Sequence, residues 1–93
     1  MTTYFNAPTV CNICKLPLGK EMVDGRTHWR VWACMCTRCY VINGVGLGVG
    51  KGQHYRLFPD GLYHRTASTK QDAVHQRLLA LHASHVPSQT RFG

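Results

Sequence analysis

The sequence predicts a small α+β domain closed around a metal ion, and three observations carry that reading. Two Cys-x-x-Cys pairs, Cys11/Cys14 and Cys36/Cys39, lie within a chain of 93 residues. Short runs of alternating apolar and polar residues, bounded by Gly, Pro and Asp, have the pattern of two β-hairpins. Val74, Leu78, Leu81 and His85 then recur at helical spacing. Zinc takes four ligands in a tetrahedron and a C-x2-C turn presents two thiolates to one side of it, so two such turns close a structural site. A chain of this length hides only roughly 60–65% of its extended-chain surface. A structural Zn2+, contributing about 10–16 kcal/mol of apparent binding free energy, is therefore expected to be part of the fold.

Each element follows in order along the chain. Met1 to Val10 is a polar lead containing Pro8, and Cys11 to Gly19 has the turn chemistry of a zinc knuckle whose amides point at the sulfurs. Asp24-Gly25, between Glu21-Met22-Val23 and Arg26-Thr27-His28-Trp29, predicts a two-residue hairpin turn. Trp29, Val31 and Ala33 alternate with Arg30, Trp32 and Cys34, which lets one face pack over the metal. Cys36-Thr37-Arg38-Cys39 leads into Tyr40-Val41-Ile42, the first turn of a short helix ended by Asn43-Gly44. Knuckle, hairpin, second cysteine pair and helix turn is the order of a treble-clef finger; a zinc ribbon, with the second pair on another hairpin, is the alternative.

Glycine then occupies every second position from Gly44 to Gly52. Glycine weakens a strand, so such a run implies positive φ angles or a close approach of another surface to the main chain. Pro59-Asp60-Gly61 separates Tyr55–Phe58 from Leu62–Arg65 and predicts the second hairpin. Ser68 or Thr69 caps a helix over 69–85, with Asp72 near the positive end of its dipole. With no internal repeat and no linker composition, residues 1–86 read as one domain with a core over 11–66, and 87–93 as a flexible tail.

Five cysteines compete for four places. Cys36 and Cys39 reach one ion, whereas Cys34 and Cys36 would point to opposite sides of a strand, so Cys34 is expected to be a spare, buried thiol and His28 the substitute ligand. The start of the chain has neither a basic nor an apolar run, and the longest uncharged stretch is short and rich in glycine. Both point to reduced thiols in a cytoplasmic setting, with no membrane span.

Eleven Lys and Arg against four Asp and Glu give a net charge of +7, which favours polyanionic partners, DNA or RNA first. Lys51, His54, Arg56, Tyr63 and Arg65, with Arg38 from the knuckle, interleave cations and rings as a nucleic-acid patch would. Gly48, Gly50 and Gly52 beside Lys51 are candidates to cradle a phosphate. A full nucleotide-binding loop needs glycine where Val45 stands and a hydroxyl where Gly52 stands, so no triphosphate hydrolysis is expected. His75, His82 and His85 share one side of the last helix and read as its polar edge. A host-protein inhibitor or adaptor, anchored by Trp29 or Trp32 and the leucine-rich helix, is the competing function.

Two resemblances extend these readings. Cys11-x2-Cys14, Val23-Asp24-Gly25 with His28 close behind, Cys36-x2-Cys39 and Asn43-Gly44 resemble the treble-clef core of HNH and endonuclease VII-type nucleases over residues 11–44. In those enzymes an Asp-His pair follows the first knuckle, the His acting as general base and the Asp helping to hold a divalent ion. The resemblance would assign cleavage to Asp24, His28 and Asn43, but Gly25 stands where the His belongs, which predicts a noncatalytic chain. Pro17-Leu18-Gly19, Val23-Asp24-Gly25, Trp32 and the Gly46-Leu47-Gly48-x-Gly50-x-Gly52-Gln53-x-Tyr55 segment are similar to small zinc-finger proteins of bacteriophages and mobile elements. That likeness implies an accessory protein acting in a bacterial host.

Overall fold

The computed structural model describes residues 3–4 and 9–83. Strands β1 (Thr3–Tyr4), β2 (Glu21–Arg26), β3 (Trp32–Met35), β4 (Gly52–Leu57) and β5 (Tyr63–Arg65) form one antiparallel sheet in the order β1-β5-β4-β2-β3. Helices α1 (Thr37–Asn43) and α2 (Gln71–Leu81) pack on it, α2 preceded by a 3-10 turn over Ser68–Lys70. The core is small: Met22, Val23, Met35, Tyr40, Tyr55 and Leu78 are buried, together with Leu18 and the thiols of Cys11, Cys34 and Cys39. His85 and the tail 87–93 lie outside the described residues.

The first hairpin differs from the sequence expectation. Asp24-Gly25 is not a turn but the middle of β2, with Gly25 opposite Ala33 on one side and Gly52 on the other. The chain instead reverses over Thr27–Val31, where the Thr27 N–H and Oγ1–H both bond the Val31 carbonyl at 2.9 Å and Arg30 takes the left-handed φ of 70°. Asp-Gly is a turn signal only when nothing else engages its main chain; here β3 and β4 flank β2 on both edges. The glycine is needed for closeness, because a Cβ on Gly25 would sit 3.0 Å from Gly52 Cα and 3.0 Å from the Lys51 carbonyl.

The second hairpin forms at Pro59-Asp60-Gly61. Phe58 N–H bonds the Leu62 carbonyl at 2.9 Å, Asp60 Oδ1 accepts from Leu62 N–H at 2.9 Å, and Gly61 holds φ 83°. Neither Ser68 nor Thr69 caps the helix, since α2 begins at Gln71 with no side-chain cap bond. Gln71 is drawn into the interior instead, its Oε1 accepting from His54 N–H at 2.9 Å and its Nε2 donating to the Thr66 carbonyl at 2.8 Å. The inward stripe is accordingly Gln71, Val74 and Leu78, while Leu81, expected to face inward, is 58% exposed.

Candidate metal centre and basic cleft

Local hydrogen bonds build the first half of the cysteine cluster. Cys11 N–H bonds the Leu16 carbonyl at 2.8 Å, Lys15 N–H returns to the Cys11 carbonyl at 3.0 Å, and Lys15 adopts φ 66° to close the knuckle. Ile13 N–H points at Cys11 Sγ at 3.4 Å. The knuckle is clipped to β3 by Asn12, whose N–H donates to the Cys34 carbonyl at 2.9 Å and whose Oδ1 accepts from Cys34 N–H at 2.7 Å. β3 delivers Cys36 to the start of α1, and the first helical turn places Cys39 beside it.

The Sγ atoms of Cys11, Cys14, Cys36 and Cys39 all lie within 4.8 Å of one another, and Cys14 and Cys36 are 3.8 Å apart. Thiolates at about 2.3 Å from one ion would be separated by about 3.8 Å along a tetrahedral edge, so the set fits a Zn2+-sized ion. Burial resists ionisation of Cys11, but the backbone amides of Cys14, Cys36 and Ile13 draw its thiol down to about 7. Burial, and then the surrounding thiols, push Cys39 well above the ordinary range, and burial raises Cys36 as well. Four sulfurs this close do not all ionise unaided; a divalent cation held there would supply the charge that lets them. Cys34 is buried outside the cluster, in β3, and His28 lies exposed in the hairpin loop, stacked on Trp29. Asp24 sits in β2 and is half-buried, which raises its carboxyl, while His28 and Asn43 meet through main-chain atoms at 3.1 Å.

The sheet distributes the other candidate residues over different surfaces. His54 is 1% exposed, its Nε2 on Glu21 Oε1 at 2.8 Å and its Nδ1 on Thr66 Oγ1 at 2.6 Å, so it is an interior residue and not a cation at the surface. Alternation along paired strands puts His54, Arg56 and His64 on one face and Tyr55, Tyr63 and Arg65 on the other. Tyr63 donates its hydroxyl to the Gly19 carbonyl, tying β5 to the end of the knuckle. Arg38 is exposed on α1. Lys51 is exposed at the end of a turn in which Gly48 and Gly50 take φ 122° and 77°, whereas Gly52 has become part of β4.

Two of the predicted cations join larger assemblies: Arg56 and Arg65 line a small pocket with Lys70, and Arg56 also belongs to a larger one. Lys20, Arg56, Lys70 and Arg77 line one cleft of about 410 Å3 between strands β2 and β4 and helix α2. Glu21, the single acid of that lining, hydrogen-bonds both His54 and Arg77, and against the effect of burial these bonds hold its carboxyl below the usual range. Lys20, Lys70 and Arg77 were not singled out from the sequence. A signal existed for two of them, since Lys70, Val74 and Arg77 fall at i, i+4 and i+7. Lys20 had none, because it reaches the cleft through pairing of its carbonyl with Leu57 N–H.

No protein-family model, no curated protein and no solved structure matches this chain. No described helix is long and apolar enough to cross a membrane.

Proposed function

We propose that this chain is a noncatalytic nucleic-acid-binding protein whose treble-clef core is held by one structural Zn2+. The observation that carries the reading is the convergence of Lys20, Arg56 and Lys70 on one cleft whose only acid, Glu21, is ion-paired with a fourth cation, Arg77. Cations gathered this way attract phosphodiester oxygens and release the counterions condensed on them. Zinc keeps the knuckle, β3 and α1 in register, and β2 carries that order to Lys20 and the cleft. The chemistry is positioning without base readout, as suits an accessory factor of a phage or mobile element in a bacterial cytoplasm. The proposed chain does not cleave, because Asp24 and His28 occupy separate elements and the residue next after Asp24 is Gly25, not His.

The test is fluorescence anisotropy of labelled DNA or RNA titrated with zinc-loaded protein at increasing KCl. Affinity is expected to fall steeply with salt, and Arg56→Gln with Lys70→Gln is expected to lower the slope of log K against log[salt] by about two. Absence of binding at low salt, or affinity indifferent to salt, would sink the reading.

A further inference from the structure

The hairpin loop at the far end of β2 carries a surface that the basic cleft does not explain. Trp29, Val31 and Trp32 are 56%, 61% and 51% exposed, and these two tryptophans are the only ones in the chain. Their loop is well braced. Thr27 Oγ1 accepts from Trp29 N–H at 3.3 Å, Arg30 N–H bonds the Thr27 carbonyl at 2.9 Å, and His28 N–H bonds the carbonyl of Asn43 at the end of α1 at 3.1 Å. Large apolar rings on a braced loop are presented to solvent at a cost that a partner would relieve.

The chemistry around the rings narrows the partner. Trp29, Val31 and Trp32 line a groove of about 440 Å3 whose other wall is the knuckle, through Asn12 and Ile13. The His28 ring is stacked on the Trp29 indole, with centroids 5.0 Å apart and planes 30° apart, which extends the flat surface. Arg26 is the cross-strand partner of Trp32, Arg30 lies between the two tryptophans, and no acid occurs from Arg26 to Trp32. Flat π surfaces flanked by arginines match a base stacked on a ring with its phosphate on a guanidinium, a pairing indifferent to base identity. Bases inside a duplex already stack on one another and cannot enter such a groove without being extruded.

We infer that the groove between the zinc knuckle and the Trp29–Trp32 loop takes unpaired bases, so that the protein prefers single-stranded nucleic acid to duplex. This rests on the nucleic-acid reading above and assigns it a substrate class.

Zinc-loaded, full-length protein would be titrated with an oligo(dT) of about 15 nucleotides and with a duplex of the same length. Anisotropy of the labelled strands reports binding anywhere on the protein, whereas intrinsic tryptophan fluorescence reports this loop alone. Quenching by oligo(dT) but not by duplex is expected, and Trp29→Ala or Trp32→Ala should weaken oligo(dT) binding about 10-fold while leaving duplex affinity unchanged. Zinc content checks that the variants are folded. If an alanine variant loses its metal, Trp29→Leu, which keeps apolar bulk but has no π face, is expected to show the same loss. Salt-sensitive binding of both probes with unquenched tryptophans, or equal affinities untouched by the tryptophan variants, would overturn the inference and leave the cleft reading standing. Failure of both probes to bind would remove the two together. Tryptophans shielded by a protein from host lysate, and by neither probe, would overturn it in favour of a protein partner.

Discussion

The two halves of this molecule meet the same shortage of core by different means. Residues 11–44 are held by four sulfurs that one ion can draw together, supplemented by the Asn12 clip on Cys34. Residues 52–81 have no such cluster and rely on a buried polar network in which His54 bonds Glu21, Thr66 and, through its main chain, Gln71. With an ion bound, the first device would be strong and all-or-none, since each thiolate would depend on the same cation. The second is a sum of pairings, each worth about 1 kcal/mol net but costing about 1–3 kcal/mol when one partner is left buried and alone. β2 belongs to both, because it pairs with β3 on one edge and β4 on the other, so loss of a metal from the cluster would be felt in both halves.

Removing the metal should produce the largest effect. Chelation, or Cys11→Ser or Cys39→Ser, is expected to unfold the whole chain, as circular dichroism and loss of amide-exchange protection would register. A folded β4–β5–α2 remnant after chelation would break the comparison by showing that the second half needs no metal. His54→Ala should cost about 2–4 kcal/mol in urea denaturation and Gln71→Ala about 1–3 kcal/mol, both with zinc still bound at one ion per chain. Loss of metal from either variant would show that the halves are not separable in this way.

Acidity should find the second half first. Burial lowers His54 below its ordinary value despite the pull of Glu21, so the folded protein keeps it neutral while the unfolded chain takes up a proton below about 6.5. Stability is therefore expected to decline as pH falls from about 6.5 toward the lower folded value. Glu21, depressed in the fold, contributes above its unfolded value and loses that contribution as pH drops through its folded one. Denaturation midpoints measured against pH, with His54→Gln losing the first of these declines, provide the check.

Two smaller effects sharpen the boundary between the halves. A Cβ on Gly52 would lie 2.9 Å from Gly25 Cα, so Gly52→Ala should cost about 2–3 kcal/mol by forcing β2 and β4 apart. Gly50→Ala meets open space and only a left-handed φ of 77°, so about 1 kcal/mol is expected. Smallest of all, Ser68→Ala and Thr69→Ala should each change stability by less than about 0.5 kcal/mol, because neither hydroxyl caps α2. A loss near 1 kcal/mol would restore the capping role expected from sequence.

What could be read in the sequence is local. Cys11, Cys14, Cys36 and Cys39 were legible because a C-x2-C turn sets its own geometry, and Pro59-Asp60-Gly61 because Pro and Gly constrain their own φ. Helix α2 was legible as a period, although its start moved to Gln71 once that side chain found His54 and Thr66. Where each strand went was not legible. Asp24-Gly25 has the chemistry of a turn, and only the arrival of β4 from a distant part of the chain makes it a central strand. The same pairing buries His54 and brings Lys20 to Lys70 and Arg77. Alone, then, the sequence determined the thiol set, the excess of positive charge and most of the turns, all consequences of neighbours a few residues apart. The tertiary structure decided strand register, and with it which charges are buried and which converge, because a pleated strand assigns its faces only after its partners are chosen.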